Sequence, residues 1–302
     1  MKYSSADNQK TGCSLIVSQH SRELDGVNEL KLFAKHIDKQ QSLLRRLKNK
    51  SELSARQLKR VAGIIKAVNE GFVIAYRDGA FSQPNQPNHT KLVRYFCRSL
   101  CTALDMNVTV HGVIPTDPAL WVANHVSWLD VAVIGSQTRL FFLAKAEIQH
   151  WPIFGRLAQA GGTLFIQRGS GDSVAVKQQI SGFLEQKIPV LFFPEATTTD
   201  GKSIKRLHGK LLVAAIATQT PIQPLIVCYV NAQGQLDDVI PFINDHSFLD
   251  HLLRVLALPH IEAHLMPLAP LSPVGHSIES LTTLLHQHMS EGLATLQQRV
   301  LR

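Results

Sequence analysis

The sequence predicts an α/β fold in which helices flank a mostly parallel sheet. From about residue 119 onwards, short apolar segments alternate with amphipathic ones, which is the pattern of strand and helix units around such a sheet. The segment bracketed by Ile188-Pro189 and Phe193-Pro194 is continuously apolar, as a strand covered on both faces requires. At 302 residues, 45% of them hydrophobic, the chain suits one large domain with an extension, or two domains.

Positive charge is concentrated in the N-terminal third of the chain. Residues 1–100 hold 18 lysines and arginines against 8 acidic residues, whereas residues 101–302 hold 13 against 15. This asymmetry indicates an anionic partner surface, either a membrane or a nucleic acid. Basic residues interleaved with aromatic ones, as in RNA-binding motifs, are not seen. We therefore expect an anionic membrane surface and no nucleic acid.

Two amphipathic helices are predicted in the basic region, over residues 28–48 and 54–76. The second carries an apolar stripe at steps of three and four residues, formed by Leu58, Val61, Ile65, Val68 and Phe72. The pair is either a hairpin docked on the main domain or a membrane-surface clamp, in which each basic residue contributes about 1 kcal/mol. After a linker at 79–90, a further helix is predicted at 91–104. We divide the chain into a helical extension, 1–90, and a main domain, 91–302.

The remaining elements alternate along the main domain. The predicted strands are 119–123, 139–144, 163–167, 189–193, 222–229 and 260–266. The predicted helices are 127–136, 153–160, 172–186, 207–219, 246–257 and 277–300.

The strongest candidate for a reactive group is His125, which precedes Asp130 by five residues at the predicted turn from strand to helix. Reactive groups of α/β sheets commonly lie at such turns. A carboxylate one turn into the helix can hold one ring nitrogen and leave the other free as a general base. The alternative, without a catalytic role, is a surface histidine beside an aspartate that only helps the helix to start. Residues 123–130 alone do not choose between the two.

Further candidates follow other strands. Lys145 and Arg168 end predicted strands, where an arginine can bind phosphate. Glu195 and the threonines from Thr197 onwards follow the strand at 189–193. Taken alone, the arginine is better explained as a solvated strand end, and a threonine-rich loop would account for the second group.

Cysteine and histidine usage predicts neither a metal site nor export. The four cysteines, Cys13, Cys97, Cys101 and Cys228, are scattered, and no ligand set of metal-site spacing is evident. The first residues lack the apolar core of a signal peptide. We expect a protein on the cytoplasmic side of the membrane, attached peripherally to the inner face, with reduced thiols and no metal.

Four ordered blocks resemble the motifs of the glycerolipid acyltransferase family, the lysophosphatidate acyltransferase group and its relatives, over about residues 105–230. The first is Asn-His, four residues and Asp (HX4D), at Asn124, His125 and Asp130. The others comprise Lys145, Pro152, Gly155, Gly162 and Arg168; Phe193, Pro194, Glu195 and Thr197; and Pro221, Ile222, Pro224 and Leu225.

The resemblance implies transfer of a fatty acyl group from a thioester, on coenzyme A or acyl carrier protein, to the hydroxyl of a lysophospholipid-type acceptor such as 1-acylglycerol-3-phosphate. His125 and Asp130 would be catalytic, without an acyl-enzyme and without a cofactor beyond the thioester co-substrate. Substrate-binding residues by the same resemblance are Asn124, Lys145, Arg168, Glu195, Thr197 and Thr198.

Two departures from the third block bear on the acceptor. Ala196 stands where the family has glycine, and Thr198 stands where it has an arginine that would meet the acceptor phosphate. A similar Thr-Thr version occurs in relatives that acylate lyso-ornithine lipids, which makes such a non-phosphate lysolipid an alternative acceptor. Two further hypotheses are a non-catalytic membrane-surface binding protein on the same scaffold and a thioesterase-like hydrolase.

Overall fold

A computed structural model describes residues 54–167, 173–243 and 247–302. These residues contain a seven-stranded sheet with the order β1-β7-β6-β2-β5-β3-β4. The strands are β1 Met106–Val110, β2 Leu120–Ala123, β3 Phe141–Lys145, β4 Leu164–Ile166, β5 Val190–Phe192, β6 Ile222–Val230 and β7 Ile261–Pro267. Neighbouring strands are parallel except β6 and β7, which are antiparallel. The predicted fold class is confirmed.

Nine α-helices accompany this sheet in the described residues. They are α1 Ala55–Arg77, α2 His89–Leu104, α3 Leu129–Gln137, α4 Ala146–Gln149, α5 Phe154–Ala160, α6 Ser173–Glu185, α7 Val213–Thr218, α8 Phe248–Ala257 and α9 Ile278–Val300. Most agree with the predicted helices to within two residues. The continuous helix predicted at 207–219 is wrong, because a 3₁₀ turn at Gly209–Leu212 precedes a short α7. The predicted helix at 28–48 lies outside the described residues.

The strand β1 was not predicted from the sequence. Its residues, Met-Asn-Val-Thr-Val, mix polar with apolar side chains and are only partly buried. It pairs with β7 alone, in parallel register from Met106 opposite Ile261 to Val110 opposite Leu265. An edge strand needs no continuous apolar run because one side of it has no neighbour, so hydrophobic patterning does not reveal it.

The central strand β2 fixes the position of the functional residues. It lies between β5 and β6, and all four of its residues are buried. Val122 is in register with Phe192 of β5, and Ala123 with Leu225 of β6. The segments that follow β2 and β5 therefore leave the sheet side by side. Strand β6 continues for five residues beyond Leu225 and lies beside the turn that follows β2.

Helix α1 begins at a capping box, in which Ser54 and Gln57 satisfy each other's backbone N–H groups. It packs against α2, and a Cβ atom added at Gly63 would lie 2.9 Å from Cβ of Ala103. It also contacts α8, where the buried guanidinium of Arg60 donates to the carbonyls of Val255, Leu256 and Leu258. The predicted division of the chain at residue 90 stays a prediction. Among the described helices, none combines the length and hydropathy that a membrane crossing needs.

Candidate active site

The segment from Asn124 to Trp128 forms a tight turn between β2 and α3. The carboxylate of Asp130, in the first turn of α3, accepts hydrogen bonds from the backbone N–H groups of Val126 at 2.7 Å and Ser127 at 3.0 Å. These contacts fold the turn around the carboxylate, which is fully buried. We call this segment, residues 124–130, the catalytic turn. It holds the candidate base and its carboxylate partner together.

His125 and Asp130 are in direct contact. Nδ1 of His125 lies 2.8 Å from Oδ2 of Asp130, and the imidazole is 21% exposed whereas the carboxylate is completely buried. An ionised carboxylate accepts only, so Nδ1 carries the proton and Nε2 presents its lone pair. The predicted pairing across five residues is therefore present, with one ring nitrogen held and the ring at the surface. This is the arrangement of a general base.

Phe193, directly after β5, stacks on the imidazole. The two ring centroids are 3.9 Å apart with 14° between the planes. The flat contact restricts the ring's tilt on one side, while Asp130 restricts its rotation. The sequence places Phe193 next to Pro194 and Glu195 but gives no indication that its ring covers the histidine.

Glu195, predicted to bind substrate, joins two segments of backbone. Its Oε1 accepts from the N–H of His125 at 2.9 Å, and its Oε2 accepts from the N–H of Lys205 at 2.8 Å. The residue is 2% exposed. Burial raises the pKa of the carboxyl, and the two backbone hydrogen bonds offset part of that rise. Both oxygens are occupied, so the structure places Glu195 beneath the site as a brace.

Asn124 has a comparable position. Its side-chain amide donates to the carbonyl of Val227 at 3.0 Å and accepts from the N–H of the same residue at 2.8 Å. The side chain is buried and fixes the catalytic turn to β6. Both polar atoms of its side chain contact the backbone of Val227, and the substrate-binding role of Asn124 stays a prediction.

The threonines after Glu195 have different surroundings. Thr197 is exposed. Thr198 donates its hydroxyl to the carbonyl of Phe242, and the N–H of Phe242 donates to the carbonyl of Val126 at 2.9 Å. Thr199 donates its N–H to the carbonyl of His125 at 2.8 Å. Of the two predicted substrate residues here, only Thr197 presents its side chain freely to solvent.

The two basic candidates lie further along the sheet. Lys145 is exposed at the carboxyl end of β3, which β5 separates from β2. Arg168 lies outside the described residues. In the described part of the chain, no group of three or more histidine, cysteine, aspartate or glutamate side chains could hold a metal.

Tyr229 is the residue near the pair that sequence reasoning missed. Its hydroxyl donates to Oδ1 of Asp130 at 2.7 Å. Burial raises the pKa of the phenol well above its usual value, and the charge of Asp130 and this hydrogen bond raise it further. The available signal was a phenol within β6, a strand that is buried at every position, because a buried tyrosine hydroxyl normally has a partner.

An aromatic cluster adjoins the catalytic turn. The indole N–H of Trp128 donates to Nδ1 of His251 at 3.0 Å, and His251 in turn contacts the ring of Phe242. Phe248 packs against Trp128 and also against Trp151, at a centroid distance of 4.9 Å. Helix α8 is thereby joined to the catalytic turn by a cluster of rings, of which His251 is fully buried and the others are half-buried.

Sequence and fold define the class to which the chain belongs. Residues 107–228 match the family model described as Acyltransferase, and a curated relative of that class matches most of the chain, so the chain belongs to the acyltransferase family and is an acyltransferase. This relative, the lyso-ornithine lipid O-acyltransferase of Pseudomonas aeruginosa, is 41% identical over 189 residues, which are 63% of this chain and 73% of the relative.

Two further relatives extend the comparison. The 1-acyl-sn-glycerol-3-phosphate acyltransferase of Neisseria meningitidis is 33% identical over 141 residues, which are 46% of this chain and 55% of the relative, so the chain spans about half of that enzyme. The crystal structure of the 1-acyl-sn-glycerophosphate acyltransferase PlsC from Thermotoga maritima superposes with a TM-score of 0.56 over 80% of this chain and 98% of that one, at 18% identity. That structure shares the fold.

Proposed function

We propose that this protein transfers a fatty acyl group from a thioester, on coenzyme A or acyl carrier protein, to the hydroxyl of a lysolipid at a membrane surface. The observation that carries the proposal is the hydrogen bond between His125 and Asp130, with the imidazole partly exposed at the end of β2. No nucleophilic serine or cysteine is needed, because the lipid hydroxyl is itself the nucleophile.

The proposed reaction is a direct transfer in one displacement. Nε2 of His125 removes the proton from the lipid hydroxyl as its oxygen attacks the thioester carbonyl. The C–S bond then breaks, an ester bond has formed, and the imidazolium returns its proton to the departing thiolate. Asp130 stabilises the transient imidazolium. The contribution of such a base is about 10²–10⁴-fold in rate.

A lyso-ornithine lipid is the acceptor that we favour. The 41%-identical relative is named for that activity. Thr198 stands where the family arginine would meet an acceptor phosphate, and its hydroxyl is bound to the backbone of Phe242. An acceptor without a phosphomonoester does not need that arginine. The second candidate acceptor is 1-acylglycerol-3-phosphate, which is supported by the relative from Neisseria meningitidis.

Helix α1 supports the proposed attachment to an anionic membrane surface. Leu58, Val73 and Tyr76 are 54%, 56% and 51% exposed, and Lys59 and Lys66 are exposed on the same helix. Exposed apolar side chains beside lysines are typical of helices that lie in the interface of a bilayer. Peripheral attachment at the cytoplasmic face follows from the proposal, because thioester donors are cytoplasmic.

The decisive experiment is a lysolipid panel with the purified protein. Lyso-ornithine lipid and 1-acylglycerol-3-phosphate are each offered with an acyl-CoA and with an acyl carrier protein donor, and acylated products are measured by mass spectrometry. We expect esterification of lyso-ornithine lipid. Release of free fatty acid that is indifferent to either acceptor would instead establish a hydrolase.

Variants of the pair test the proposed roles. His125→Ala should reduce turnover by about 10²–10⁴-fold, and Asp130→Asn should also reduce it because the amide no longer fixes the tautomer. His260→Ala is the matched control, since His260 is exposed after α8, and it should retain full activity. Unchanged activity of His125→Ala would remove the proposed base.

Membrane attachment has a separate test. Replacing Leu58 and Val73 by serine should weaken cosedimentation with vesicles of anionic phospholipid, whereas Val274→Ser, which changes a loop residue that is 63% exposed, should not. Equal cosedimentation of the unaltered protein and both variants would exclude α1 as the attachment surface.

A further inference from the structure

The two oxygens of the Asp130 carboxylate have separate partners. Oδ2 accepts from Nδ1 of His125 and from the backbone N–H groups of Val126 and Ser127. Oδ1 accepts from the hydroxyl of Tyr229 at 2.7 Å. The phenol thus reaches the carboxylate from β6, at the oxygen that does not contact the imidazole. We propose that Tyr229 is a positioning residue that sets the basicity of His125 through Asp130, an inference that rests on the proposed function of His125 as the base.

Tyr229 is restricted to donating its hydrogen bond. The residue is 3% exposed, and burial together with the neighbouring carboxylate raises the pKa of its phenol well above the usual value. A phenol that stays protonated cannot take a proton from the pair, so it acts on the charge and orientation of Asp130. Its backbone is held by β7, where Tyr229 is in register with Ala263, and its carbonyl accepts from the N–H of Asp237 at 3.0 Å.

The sign of the effect follows from charge sharing. Each hydrogen bond that a carboxylate accepts draws negative charge from its oxygens and weakens its attraction for a neighbouring cation. Tyr229 therefore moderates the stabilisation that Asp130 gives to the protonated imidazole. Without the phenol, the imidazolium is stabilised more strongly, and His125 stays protonated, and inactive as a base, up to a higher pH.

The other titratable groups around the pair do not replace this effect. Glu195 contacts the backbone N–H of His125, and burial raises the pKa of its carboxyl. Cys101 on α2 and Cys228 on β6 lie near the phenol, and burial raises the pKa of these thiols to about 11 and about 12. Both thiols are therefore neutral at the pH values of an activity profile, and removal of the phenol leaves them so.

The test is the pH dependence of kcat/KM for Tyr229→Phe. We expect the acid limb of the profile to move to higher pH by roughly 0.5–1 unit. Tyr95→Phe is the matched control, because it removes a hydroxyl that donates to the exposed carboxylate of Glu70 at 3.0 Å, on the α1 and α2 helices. The control should keep the profile of the unaltered protein, since a general effect of losing a phenol would move both.

A second variant keeps the hydroxyl and therefore the fold. In place of Tyr229, 3-fluorotyrosine is a stronger hydrogen-bond donor than tyrosine, so the acid limb should move to lower pH, opposite to the Tyr229→Phe shift. An acid limb that is the same in both variants would overturn the inference, because a purely packing role predicts no dependence on donor strength.

A direct titration separates this inference from the proposed function. The imidazole of His125 is followed by NMR in the unaltered protein and in both variants, with its signal assigned by its loss in His125→Gln. Matching shifts in the NMR midpoint and in the acid limb support both the coupling through Tyr229 and the role of His125 as the base. An NMR midpoint that moves while the activity profile does not supports the coupling but removes His125 as the base. An NMR midpoint that does not move overturns the coupling, whatever the activity of His125→Ala.

Discussion

Glu195 connects the backbone of His125 to the backbone of Lys205 through a single buried carboxylate. Both contacts are short, at 2.9 Å and 2.8 Å, and both partners are N–H donors. The two donors approach different oxygens of the side chain, and only a carboxylate offers an acceptor at both positions. The loop that follows β5 and the catalytic turn are therefore held at a fixed distance.

Glu195→Gln tests this brace, because it preserves shape and removes one acceptor. The amide NH₂ must then face one of the two backbone N–H groups, leaving that group unsatisfied in a buried position, which costs about 1–3 kcal/mol. We expect a free energy of unfolding lower by that amount in urea titrations, together with reduced kcat. Glu185→Gln, at the exposed end of α6, should change neither. An unchanged free energy of unfolding in Glu195→Gln would show that the two backbone N–H groups do not both depend on the carboxylate.

The backbone conformation at Ala196 explains why the family has glycine at this position. Its φ is +58°, in the left-handed region where an L-residue is strained by roughly 1–2 kcal/mol. Glycine adopts this conformation without strain but loses more chain entropy on folding. Ala196→Gly should therefore stabilise the protein by about 1 kcal/mol or less, measured as an increase in the urea midpoint. Ala232→Gly, a turn position without a positive φ, should lower the midpoint.

The sequence predicted those parts of the molecule that depend on local pattern. The buried strands β2 to β7 and the pair of His125 and Asp130 follow from apolar runs and from a five-residue spacing. The predicted contact between His125 and Asp130 is present because both residues lie in the catalytic turn, where the local backbone sets their separation. The same reasoning identified Glu195 as important through its place after β5, but could not show that it points inward.

The missing parts depend on which distant segments are brought together. Tyr229 reaches Asp130 across 99 positions of sequence, because β6 is longer than β2 and lies beside it. The amide of Asn124 meets the backbone of Val227 for the same reason. Hydrophobic periodicity indicates that a strand is buried, but not its neighbour or register. A single sequence therefore does not predict the contacts of side chains that connect one strand to another.

Arg60 offers a test of how α1 is held to the rest of the protein. Its guanidinium is almost fully buried and caps the carboxyl end of α8 by donating to three carbonyls. Replacement by alanine removes the guanidinium from all three carbonyls, of which, among the described residues, only that of Val255 keeps another donor, the N–H of Leu258, at a cost of about 2–4 kcal/mol. Thermal unfolding should show a clearly lower Tm for Arg60→Ala. The neighbouring Lys59→Ala removes one exposed charge from the same helix and should leave Tm nearly unchanged; equal losses would contradict the capping role.

Acid should destabilise the protein through histidines that are buried, such as His89 and His251, or half-buried, such as His111 and His264. Burial is the main cause of a lowered pKa at four of the described histidines, which are His89, His111, His251 and His264. In the unfolded chain they bind protons from about pH 6.5 downward, whereas the folded state resists protonation. The unfolded state therefore binds more protons in this window, and the free energy of unfolding falls as pH falls below 6.5. Glu195 acts with the opposite sign, since its raised pKa favours the folded state at low pH.

His251 is the informative position for that acid effect. Its Nδ1 accepts from the indole of Trp128 at 3.0 Å, so protonation of Nδ1 would set two donors against each other. His251→Gln should be less stable at pH 7.5 but should lose less further stability between pH 7.5 and pH 5.5 than the unaltered protein. Urea titrations at the two pH values measure this slope. His260→Gln, at an exposed position, should keep the original slope; an unchanged slope in His251→Gln would place the acid sensitivity elsewhere.

Thr198→Arg asks whether the missing family arginine decides the acceptor. The hydroxyl of Thr198 is bound to the carbonyl of Phe242, so an arginine must give up that contact and extend from a half-buried position. A guanidinium can bind a phosphomonoester through two hydrogen bonds. We expect the ratio of kcat/KM for 1-acylglycerol-3-phosphate over lyso-ornithine lipid to rise about tenfold, which corresponds to about 1.4 kcal/mol of added discrimination. Thr197→Arg, one residue earlier on an exposed side chain, controls for added charge alone. Equal ratios in the two variants would show that charge near the site, rather than the position of residue 198, governs acceptor choice.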